Sequence, residues 1–480
     1  MSTIKKEKKI KKWLHFGIMF ILMFGFQFLP PFGQVTHGGM QLIGIFAGVV
    51  YGWATIGLLQ PSLLGLILAG LTDLITTNTF FSQGFGNQIF VLAIGMMILA
   101  SFINETELYK VIIKTMMSFK IAKGRPWIVL LCFLYADYLV ASVSNSLIAA
   151  LLFIPLYVQM AEQASLPKYS PLNNAMIAGI AFAGLMGDAL MPFKGFVVMT
   201  TAAFSSATGI TVDLGRWFFV MLPWTVFMIS FYVAICKFIF RIDATALNKV
   251  KFDLGYEKAD KRQKLALLFV AFTLLLIIVP SFLPADWKAT IIFKTLGNGG
   301  SVLIALFVMS LIRIDGQPLL DIGKTAKGVS WDLLFMMAFF MPIASLLTSD
   351  ATGIKDTVSI MLQPIMSGLN PLAVILLLTL ATLILTNFMN NLVIAIIILS
   401  MMSVLTDFLG EYNLVAVMNL IIFSSTIAYI LPSGCPTSAY CYSQTELIKF
   451  NKQFLHTVIC GILMFVILMT LGFAWFSLVW

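Results

Sequence analysis

Charged residues are scarce in this sequence: they make up 11% of its 480 residues, while hydrophobic residues make up 60%. A soluble domain carries about 25% charged residues, so this composition excludes an ordinary soluble fold. The apolar residues form long runs along the whole chain. This distribution is typical of a polytopic helical membrane protein and not of a soluble domain with a single anchor.

Cysteine and histidine are also rare, with five and three residues respectively. The cysteines lack the spacing of a metal site or of a disulfide framework, and the three histidines lie far apart in the sequence. Walker, Rossmann, metalloprotease and nucleophile-elbow motifs are missing as well. We therefore expect neither an enzyme nor a cofactor-binding protein. The net charge of +9 reflects mainly the basic loops and is not evidence for nucleic acid binding.

The first residues, MSTIKKEKKIKKW, contain six lysines and lead into an apolar run that ends at Pro30. A signal peptide also has a basic start, but a small-residue cleavage site follows its short apolar core. Since no such site follows here, we expect an uncleaved first span. Lysines are retained on the cytoplasmic side, so we expect a cytoplasmic N-terminus.

Eleven apolar segments have roughly the length of a membrane-spanning helix, which needs about 20 residues. They lie at approximately 14–30, 41–59, 62–76, 88–104, 172–200, 217–240, 264–283, 296–312, 331–347, 414–440 and 455–478. Starting inside, this layout puts the lysine-rich loops in the cytoplasm and three loops without lysine or arginine outside. We therefore expect a multi-pass protein of the plasma membrane with its C-terminus outside.

Two further apolar regions, 126–160 and 370–405, contain polar residues near their middle. The interruptions are Ser144-Asn145-Ser146 in the first region and the stretch from Asn387 to Asn391 in the second. Each region is better explained as a re-entrant helical hairpin that enters and leaves the membrane on the same side. The predicted fold is thus all-α, with about 11 transmembrane helices and two re-entrant hairpins.

The two halves of the chain share a weak internal repeat. The stretches ASFINETELYK, SNSLIAA and IAF of the first half recur in the same order, at near-equal spacing, as ASLLTSDATGIK, NNLVIAI and IAY. The predicted topology gives the two copies opposite orientations. Inverted repeats with broken helices are the architecture of secondary transporters, which bind their substrates near the membrane midplane where the repeats meet.

This repeat divides the chain into segments with different expected roles. They are a basic cytoplasmic N-terminus (1–13), scaffold helices (14–87), a first inverted repeat (88–216, hairpin 126–160), scaffold helices with a cytoplasmic loop (217–330, loop 241–263), a second inverted repeat (331–454, hairpin 370–405) and a C-terminal helix (455–480).

The polar interruptions have the chemistry of a binding site. A helix break inside a membrane is tolerated only where it is buried in protein or lines a watery cavity. Helix N-termini there attract anions, and freed carbonyls with Ser, Thr and Asn oxygens can coordinate a cation such as Na⁺. The alternative is a polar tip that only caps and packs helices. Two copies at matching places favour the binding site.

Each hairpin is followed by a second Gly- and Pro-rich interruption, GLMGDALMPFKGF after the first and LPSGCPTSAYCYS after the second. Such clusters inside an apolar run predict unwound helix. The alternative is a proline kink without a role in binding.

Three charged residues lie at predicted membrane depth, where charge is costly and usually functional. Asp188 and Lys194 are expected to pair with each other, or Lys194 to hold an anionic substrate and Asp188 to bind a cation or a proton. Lys194 at a span end would instead extend its amine to the interface. Asp137 is expected to be a structural partner of the first hairpin, with proton coupling as the alternative.

The order of four motifs resembles the divalent anion:sodium symporter family, part of a larger ion transporter superfamily. The motifs are SNSLIAALLFIPL, DGQPLLDIGKTAKGVSWDLLFMMAFF, TNFMNNLVIAIIIL and LPSGCPTSAY, and the resemblance covers roughly residues 40–478. It implies eleven spans, two opposed hairpins, a homodimer, elevator-type movement, and transport of di- or tricarboxylates or sulfate with Na⁺. It also implies that Asn145 and Asn391 reach both the substrate and the Na⁺ regions.

The family's hairpin tips carry Ser-Asn-Thr, and this chain departs from that pattern in the second half. Its tip there reads Asn390-Asn391-Leu392, and Leu392 replaces a hydroxyl expected to bind a carboxylate. The candidate substrate-binding residues are Asn145, Ser146, Lys194, Asn390, Asn391, Pro436, Thr437 and Ser438. The candidate cation-binding residues are Ser144, Asn145, Gly187, Asp188, Thr386, Asn391 and Gly434.

These features predict a secondary active symporter that moves a small organic or inorganic anion with Na⁺ by alternating access. The alternative is an H⁺-coupled or uncoupled anion permease with a different substrate. The expected partners are the anion, Na⁺ or H⁺, membrane lipid and a second copy of the chain, with no cofactor.

Overall fold

Helices built from the long apolar runs dominate the structure, a computed structural model that describes residues 2–117, 124–192, 194–249, 260–284, 286–366 and 368–480. In chain order they are α1 (Ser2–Gly25), α2 (His37–Thr55), α3 (Leu59–Ala69), α4 (Thr77–Phe85), α5 (Gln88–Glu105), α6 (Leu108–Met117), α7 (Pro126–Val143), α8 (Ser146–Gln163), α9 (Pro171–Leu190), α10 (Gly195–Thr208), α11 (Leu214–Ala234), α12 (Lys261–Ile278), α13 (Lys288–Leu311), α14 (Ile322–Thr325), α15 (Trp331–Leu347), α16 (Ile354–Met366), α17 (Pro371–Thr386), α18 (Asn391–Ser400), α19 (Met402–Leu409), α20 (Leu414–Ser425), α21 (Pro436–Tyr442), α22 (Phe450–Ile467) and α23 (Phe473–Val479). One short antiparallel ladder pairs β1 (Arg313–Ile314) with β2 (Gln317–Pro318). The predicted all-α fold is confirmed.

Helices of different length occupy the eleven predicted spans. By length and apolar composition, six helices of the described part of the chain are able to cross a membrane, or up to eight if each of two bent pairs counts as one span. Other predicted spans contain shorter helices, such as α3 with 11 residues and α20 with 12. The helical, multi-pass class is therefore clear, whereas the number of eleven crossings stays a prediction.

Parts of four predicted segments lie outside the described residues. They are Met1 of the basic N-terminus, residues 118–123 of the first repeat, residues 250–259 and 285 of the segment 217–330, and residue 367 of the second repeat. Phe193, in the interruption after the first hairpin, also lies outside them.

Each predicted hairpin region contains two helices that meet at the polar interruption. In the first, α7 ends at Val143 and α8 begins at Ser146. In the second, α17 ends at Thr386 and α18 begins at Asn391. In both hairpins the two helices pack on each other and on one common neighbour, α9 in the first half and α20 in the second.

Local capping chemistry explains where these helices begin. Asn145 and Asn390 cap α8 and α18, because their side-chain oxygens accept backbone N–H groups of the first turn. Ser170 and Asn370 cap α9 and α17 in the same way, and each is followed by a proline at the first helical position. The polar side chains at the tips therefore cap the helices, and only their remaining hydrogen-bond donors and acceptors are available to bind a ligand.

The two halves pack into each other through the second helices of their hairpins. Helix α8 of the first half packs on α21 of the second, and α18 of the second half packs on α10 of the first. Near this junction the buried ring of Phe182 lies 5.6 Å from Tyr232 and 5.3 Å from Tyr429, between centroids. The second helix of each hairpin therefore packs against the broken helix of the opposite half.

Candidate functional site

The first hairpin tip is a short extended stretch between two helix ends. The Ser144 hydroxyl donates a hydrogen bond to the Val140 carbonyl, 2.7 Å away, so it closes the end of α7. The Asn145 side-chain oxygen accepts the Ile148 N–H at 2.8 Å, while Asn145 itself is exposed. The tip thus places an exposed amide at the N-terminus of α8, where backbone N–H groups and the helix dipole favour an anion.

Ser146 connects this tip to both halves of the molecule. Its backbone N–H lies 3.2 Å from each carboxylate oxygen of Asp188, on α9. Its hydroxyl lies 2.8 Å from the hydroxyl of Thr437, in the first turn of α21. Ser146, Thr437 and the neighbouring Ser438 are all buried. Two predicted substrate-binding residues from opposite halves therefore meet directly.

Asp188 and Lys194 form the ion pair that the sequence suggested, with 3.2 Å between Nζ and Oδ1. Their side chains are only 19% and 9% exposed, so each charge depends on the other. The Lys194 ammonium also donates to the carbonyl of Ala141 at 2.9 Å and to that of Ser144. An ammonium has three N–H donors, and these three oxygens use all of them.

The helix interruption between Asp188 and Lys194 is shorter than predicted. Unwinding was expected from Gly184 to Phe196, but α9 continues to Leu190 and α10 begins at Gly195. Asp188 is therefore helical and lies in the last turn of α9. Gly187 serves close packing instead, since a Cβ there would lie 2.5 Å from the Tyr138 carbonyl oxygen.

The second hairpin tip is joined to the second break by backbone contacts. The Asn390 side-chain oxygen accepts the Leu392 N–H at 3.0 Å, and the Asn391 N–H donates to the Gly434 carbonyl at 3.3 Å. The hydroxyl of Thr386, which is fully buried, donates to the Ser425 carbonyl at 3.1 Å. These contacts bring Thr386, Asn391 and Gly434 of the predicted cation set into one region.

The second break is a true loop of ten residues, from 426 to 435, between α20 and α21. Cys435 caps α21, its sulfur accepting the Ser438 N–H at 3.4 Å, and the Ser438 hydroxyl donates to the Ala428 carbonyl at 2.8 Å. A Cβ at Gly434 would lie 2.3 Å from the Ala428 oxygen and 3.0 Å from the Thr386 oxygen. Backbone oxygens therefore crowd around this glycine.

Asn387 holds this loop in place and was missing from the predicted site residues. Its amide nitrogen donates to the carbonyls of Leu383 (2.9 Å) and Ile427 (3.0 Å). Its amide oxygen accepts the N–H groups of Ile430 (3.0 Å) and Leu431 (3.2 Å). The signal in the sequence was an asparagine in the polar interruption of an apolar run, followed further along the chain by a Gly- and Pro-rich break that leaves backbone groups without helical partners.

Asp137 lies in α7 and is completely buried. Within the described residues, neither of its carboxyl oxygens has a hydrogen-bond partner. Helix α7 packs against α9, the helix that carries Asp188. The structure thus places Asp137 on a helix that packs against the helix of Asp188, without giving it a structural partner among the described tip residues.

Together these residues provide the groups that a reversible ion site needs. Hydroxyls, amides and the N-terminus of α8 can bind an anion, while carbonyls around Gly434 can bind a cation. Pro436, which is exposed, begins α21 beside Thr437. No group of three or more His, Cys, Asp or Glu residues that could hold a metal ion occurs within the described ranges.

Comparison with known proteins indicates a membrane transporter. A family model described as citrate transporter matches residues 46–410, more than half of the chain. The sodium-dependent dicarboxylate transporter SdcS of Staphylococcus saprophyticus is 23% identical over 446 residues, covering 88% of this chain and 83% of that protein. SdcS of Staphylococcus aureus (strain USA300) is 21% identical over 435 residues, covering 85% and 81%.

A solved structure shares the fold. The crystal structure of the Alcanivorax borkumensis YdaH transporter matches with a TM-score of 0.57 and 14% sequence identity, covering 84% of this chain and 88% of that chain. At this identity the match concerns the fold alone.

Proposed function

Since this chain belongs to the citrate transporter family, we propose that it carries a small di- or tricarboxylate across the plasma membrane together with Na⁺. The family and the relatives make it a membrane transporter and not an enzyme, a divergent relative of the divalent anion:sodium symporters. Substrate and coupling ion are part of the proposal: citrate is named by the family, and dicarboxylate with sodium by the relative SdcS.

The contact between Ser146 and Thr437 is the observation that supports this function most strongly. It joins the start of α8 to the first turn of α21, so the polar ends of two broken elements from opposite halves face one region. A carboxylate placed there would receive hydrogen bonds from Ser146, Thr437 and the exposed amide of Asn145. Asn390, Asn391, Pro436 and Ser438 complete the proposed substrate set from the second half.

The proposed cation site lies in the second half, between the end of α17 and the loop before α21. Thr386, Asn391 and Gly434 provide it, with the Ala428 carbonyl close by. Na⁺ prefers oxygen ligands, and carbonyls left free by broken helices supply them in transporters. Asn145 at the first tip is proposed to contribute to both anion and cation binding, as the resemblance to the divalent anion:sodium symporters implies.

We further propose that transport follows an elevator-type alternating access in a homodimer. In this scheme the hairpins with α9, α10, α20 and α21 move as one unit against scaffold helices of 14–87 and 217–330. The interlocking of α8 with α21 and of α18 with α10 supports one moving unit, because both halves would have to move together. The N-terminus is proposed to be cytoplasmic and the C-terminus to lie outside.

Uptake by purified protein in liposomes tests this function. Citrate, dicarboxylates, sulfate and aromatic carboxylates are each supplied with an inward Na⁺ gradient, with a pH gradient, or with neither. Accumulation of a di- or tricarboxylate that requires Na⁺ supports the proposal. Transport that needs no Na⁺ for any substrate would rule out sodium coupling.

H⁺ coupling is the second candidate, and the unpaired carboxyl of Asp137 is the observation that favours it. A buried carboxyl beside the site could take up and release a proton during the cycle. Accumulation driven by the pH gradient alone, in the same liposomes, would select this candidate over sodium.

A further inference from the structure

The ammonium of Lys194 is surrounded as a bound cation would be. It contacts the carbonyl oxygens of Ala141 and Ser144, at the end of α7, and a carboxylate oxygen of Asp188. Two carbonyls and a carboxylate are hard oxygen ligands, the type that also binds Na⁺. The amine nitrogen is buried, and all three of its donors point to protein oxygens.

Ser144 and Asp188 belong to the residues that the sequence suggested for a cation in the first half. The structure shows that their oxygens are already in use by Lys194. The Ser144 hydroxyl is in use as well, since it donates to the Val140 carbonyl. A mobile cation in this place would have to displace the ammonium from its oxygens.

The corresponding region of the second half has no fixed charge. Residues 386–391 and 426–442 contain no Lys, Arg, Asp or Glu. The oxygens there come from backbone carbonyls such as those of Thr386 and Ala428, which lie 3.0 and 2.3 Å from a Cβ built at Gly434. Both halves thus contain a helix interruption. In the first half Lys194 supplies a fixed positive charge, whereas these stretches of the second half contain no charged residue.

We propose that Lys194 is a tethered cation that permanently takes the place of a coupling ion in the first half. The inference rests on the proposed cation-coupled function, and it reduces the mobile cation sites to the one in the second half. The anion next to Ser146 then faces a carboxylate whose negative charge is neutralised by a residue that never leaves the protein. Lys194 acts on the substrate through Asp188 and Ser146 and is a positioning residue.

The consequence is a smaller coupling stoichiometry. A symporter with a mobile ion in each half gains driving force from every ion that moves down its gradient. An ammonium fixed to the chain moves with the protein and returns with it, so it neutralises charge without adding net driving force. This chain would accordingly move one cation fewer per cycle than a relative with mobile ions in both halves.

Two substitutions at one position separate this role from a merely structural one. Lys194→Ala removes the ammonium and its stem, which opens space between Asp188 and the two carbonyls for an ion. Lys194→Met removes the charge but keeps a side chain of similar length that fills this space. Lys324→Ala is the matched control, because Lys324 is 62% exposed and lies 3.5 Å from Glu105, away from the tips.

Thermal unfolding of the detergent-purified proteins in NaCl and in choline chloride, at equal ionic strength, is the measurement. A site that binds an ion only in the folded state raises the unfolding temperature as the ion is added. We expect a larger Na⁺-dependent rise for Lys194→Ala than for the wild type, and no such gain for Lys194→Met or Lys324→Ala. Uptake by Lys194→Ala should also depend more steeply on Na⁺ than wild-type uptake.

An equal Na⁺-dependent rise in Lys194→Ala and the wild type would overturn the proposal. If Lys194→Ala is recovered as folded protein only when Na⁺ is present, Na⁺ replaces the ammonium and the proposal stands. If it is lost in both salts, Na⁺ cannot replace the ammonium and the proposal fails. A wild type without any response to Na⁺ would contradict sodium coupling, while the gain in Lys194→Ala would still decide the role of Lys194.

Discussion

The hydroxyl groups of Ser146 and Thr437 lie 2.8 Å apart although 291 positions separate the two residues in the chain. One is the first residue of α8 and the other belongs to the first turn of α21. Their contact ties the hairpin of one half to the broken helix of the other. An anion bound at this contact, as proposed, would touch both halves at once.

Removing either hydroxyl should weaken anion binding. For Ser146→Ala and Thr437→Val we expect the KM for the anion to rise by roughly tenfold, the equivalent of about 1.4 kcal/mol, because each loses one hydrogen bond. The double variant should lose less than the sum of the two, since the groups contact each other. Initial uptake rates over a range of anion concentrations measure this. Ser310→Ala, which removes a hydroxyl that donates within its own helix, is the control. An equal change in KM in all variants would refute the assignment of Ser146 and Thr437 to the anion site.

Asn145 and Asn391 should matter for transport more than for folding. Asn145→Ala removes the cap of α8, which costs about 1 kcal/mol, and we expect it to abolish most uptake while the protein remains folded. Asn391→Ala should do the same without loss of a cap, since Asn390 caps α18. Uptake is normalised to folded protein measured by size-exclusion chromatography. Wild-type uptake in both variants would remove the hairpin tips from the mechanism.

Asn387 should be required for a folded second half. Asn387→Ala deletes the side chain that satisfies four backbone groups, and each buried group left unpaired costs about 1–3 kcal/mol. We expect a strong drop in unfolding temperature and in the yield of folded protein. Asn387→Asp keeps an acceptor for the N–H groups of Ile430 and Leu431, but it loses the amide donor and adds a charge. Its unfolding temperature should therefore differ from that of Asn387→Ala. An unfolding temperature of Asn387→Ala within error of the wild type would contradict this role.

A methyl group at Gly187 should separate α9 from α7. Its Cβ would lie 2.5 Å from the Tyr138 oxygen and 2.8 Å from the Ala141 Cβ, and the neighbours are backbone and Cβ atoms that cannot rotate away. We expect Gly187→Ala to cost about 1–3 kcal/mol of stability, measured by thermal unfolding. Gly17→Ala is the control, because nothing lies within 4 Å of a Cβ there. Equal unfolding temperatures for the two variants would be the contrary result.

Asp137→Asn should be tolerated by the fold. The carboxyl of Asp137 is buried without a hydrogen-bond partner in the described part of the protein, so a neutral amide of the same shape breaks no hydrogen bond. We expect an unfolding temperature equal to or above that of the wild type. Uptake driven by a pH gradient should disappear in this variant only if Asp137 carries a proton, whereas sodium-driven uptake should persist. A clear loss of stability would show that Asp137 has a structural partner after all.

Much of this protein follows from its sequence. The low share of charge and the long apolar runs determine a helical membrane protein, because only helices satisfy the backbone in such runs. Polar interruptions such as Ser144-Asn145-Ser146 mark the hairpin tips, since capping residues act locally on the next few N–H groups. The membership confirmed by the family match was visible in the order of the motifs. The inverted orientation and the exact number of crossings stay predictions.

Other features were decided only by the tertiary structure. The sequence places Asp188 and Lys194 near each other, but not the carbonyls of Ala141 and Ser144 around the ammonium, because those lie on another helix. It suggests unwinding at both breaks, whereas packing keeps α9 helical to Leu190 and leaves the second break open around Asn387. Local pattern determines which residues are polar and which backbone groups are freed. Which polar group meets which depends on contacts between helices far apart in the chain, and these form only when the two halves pack together.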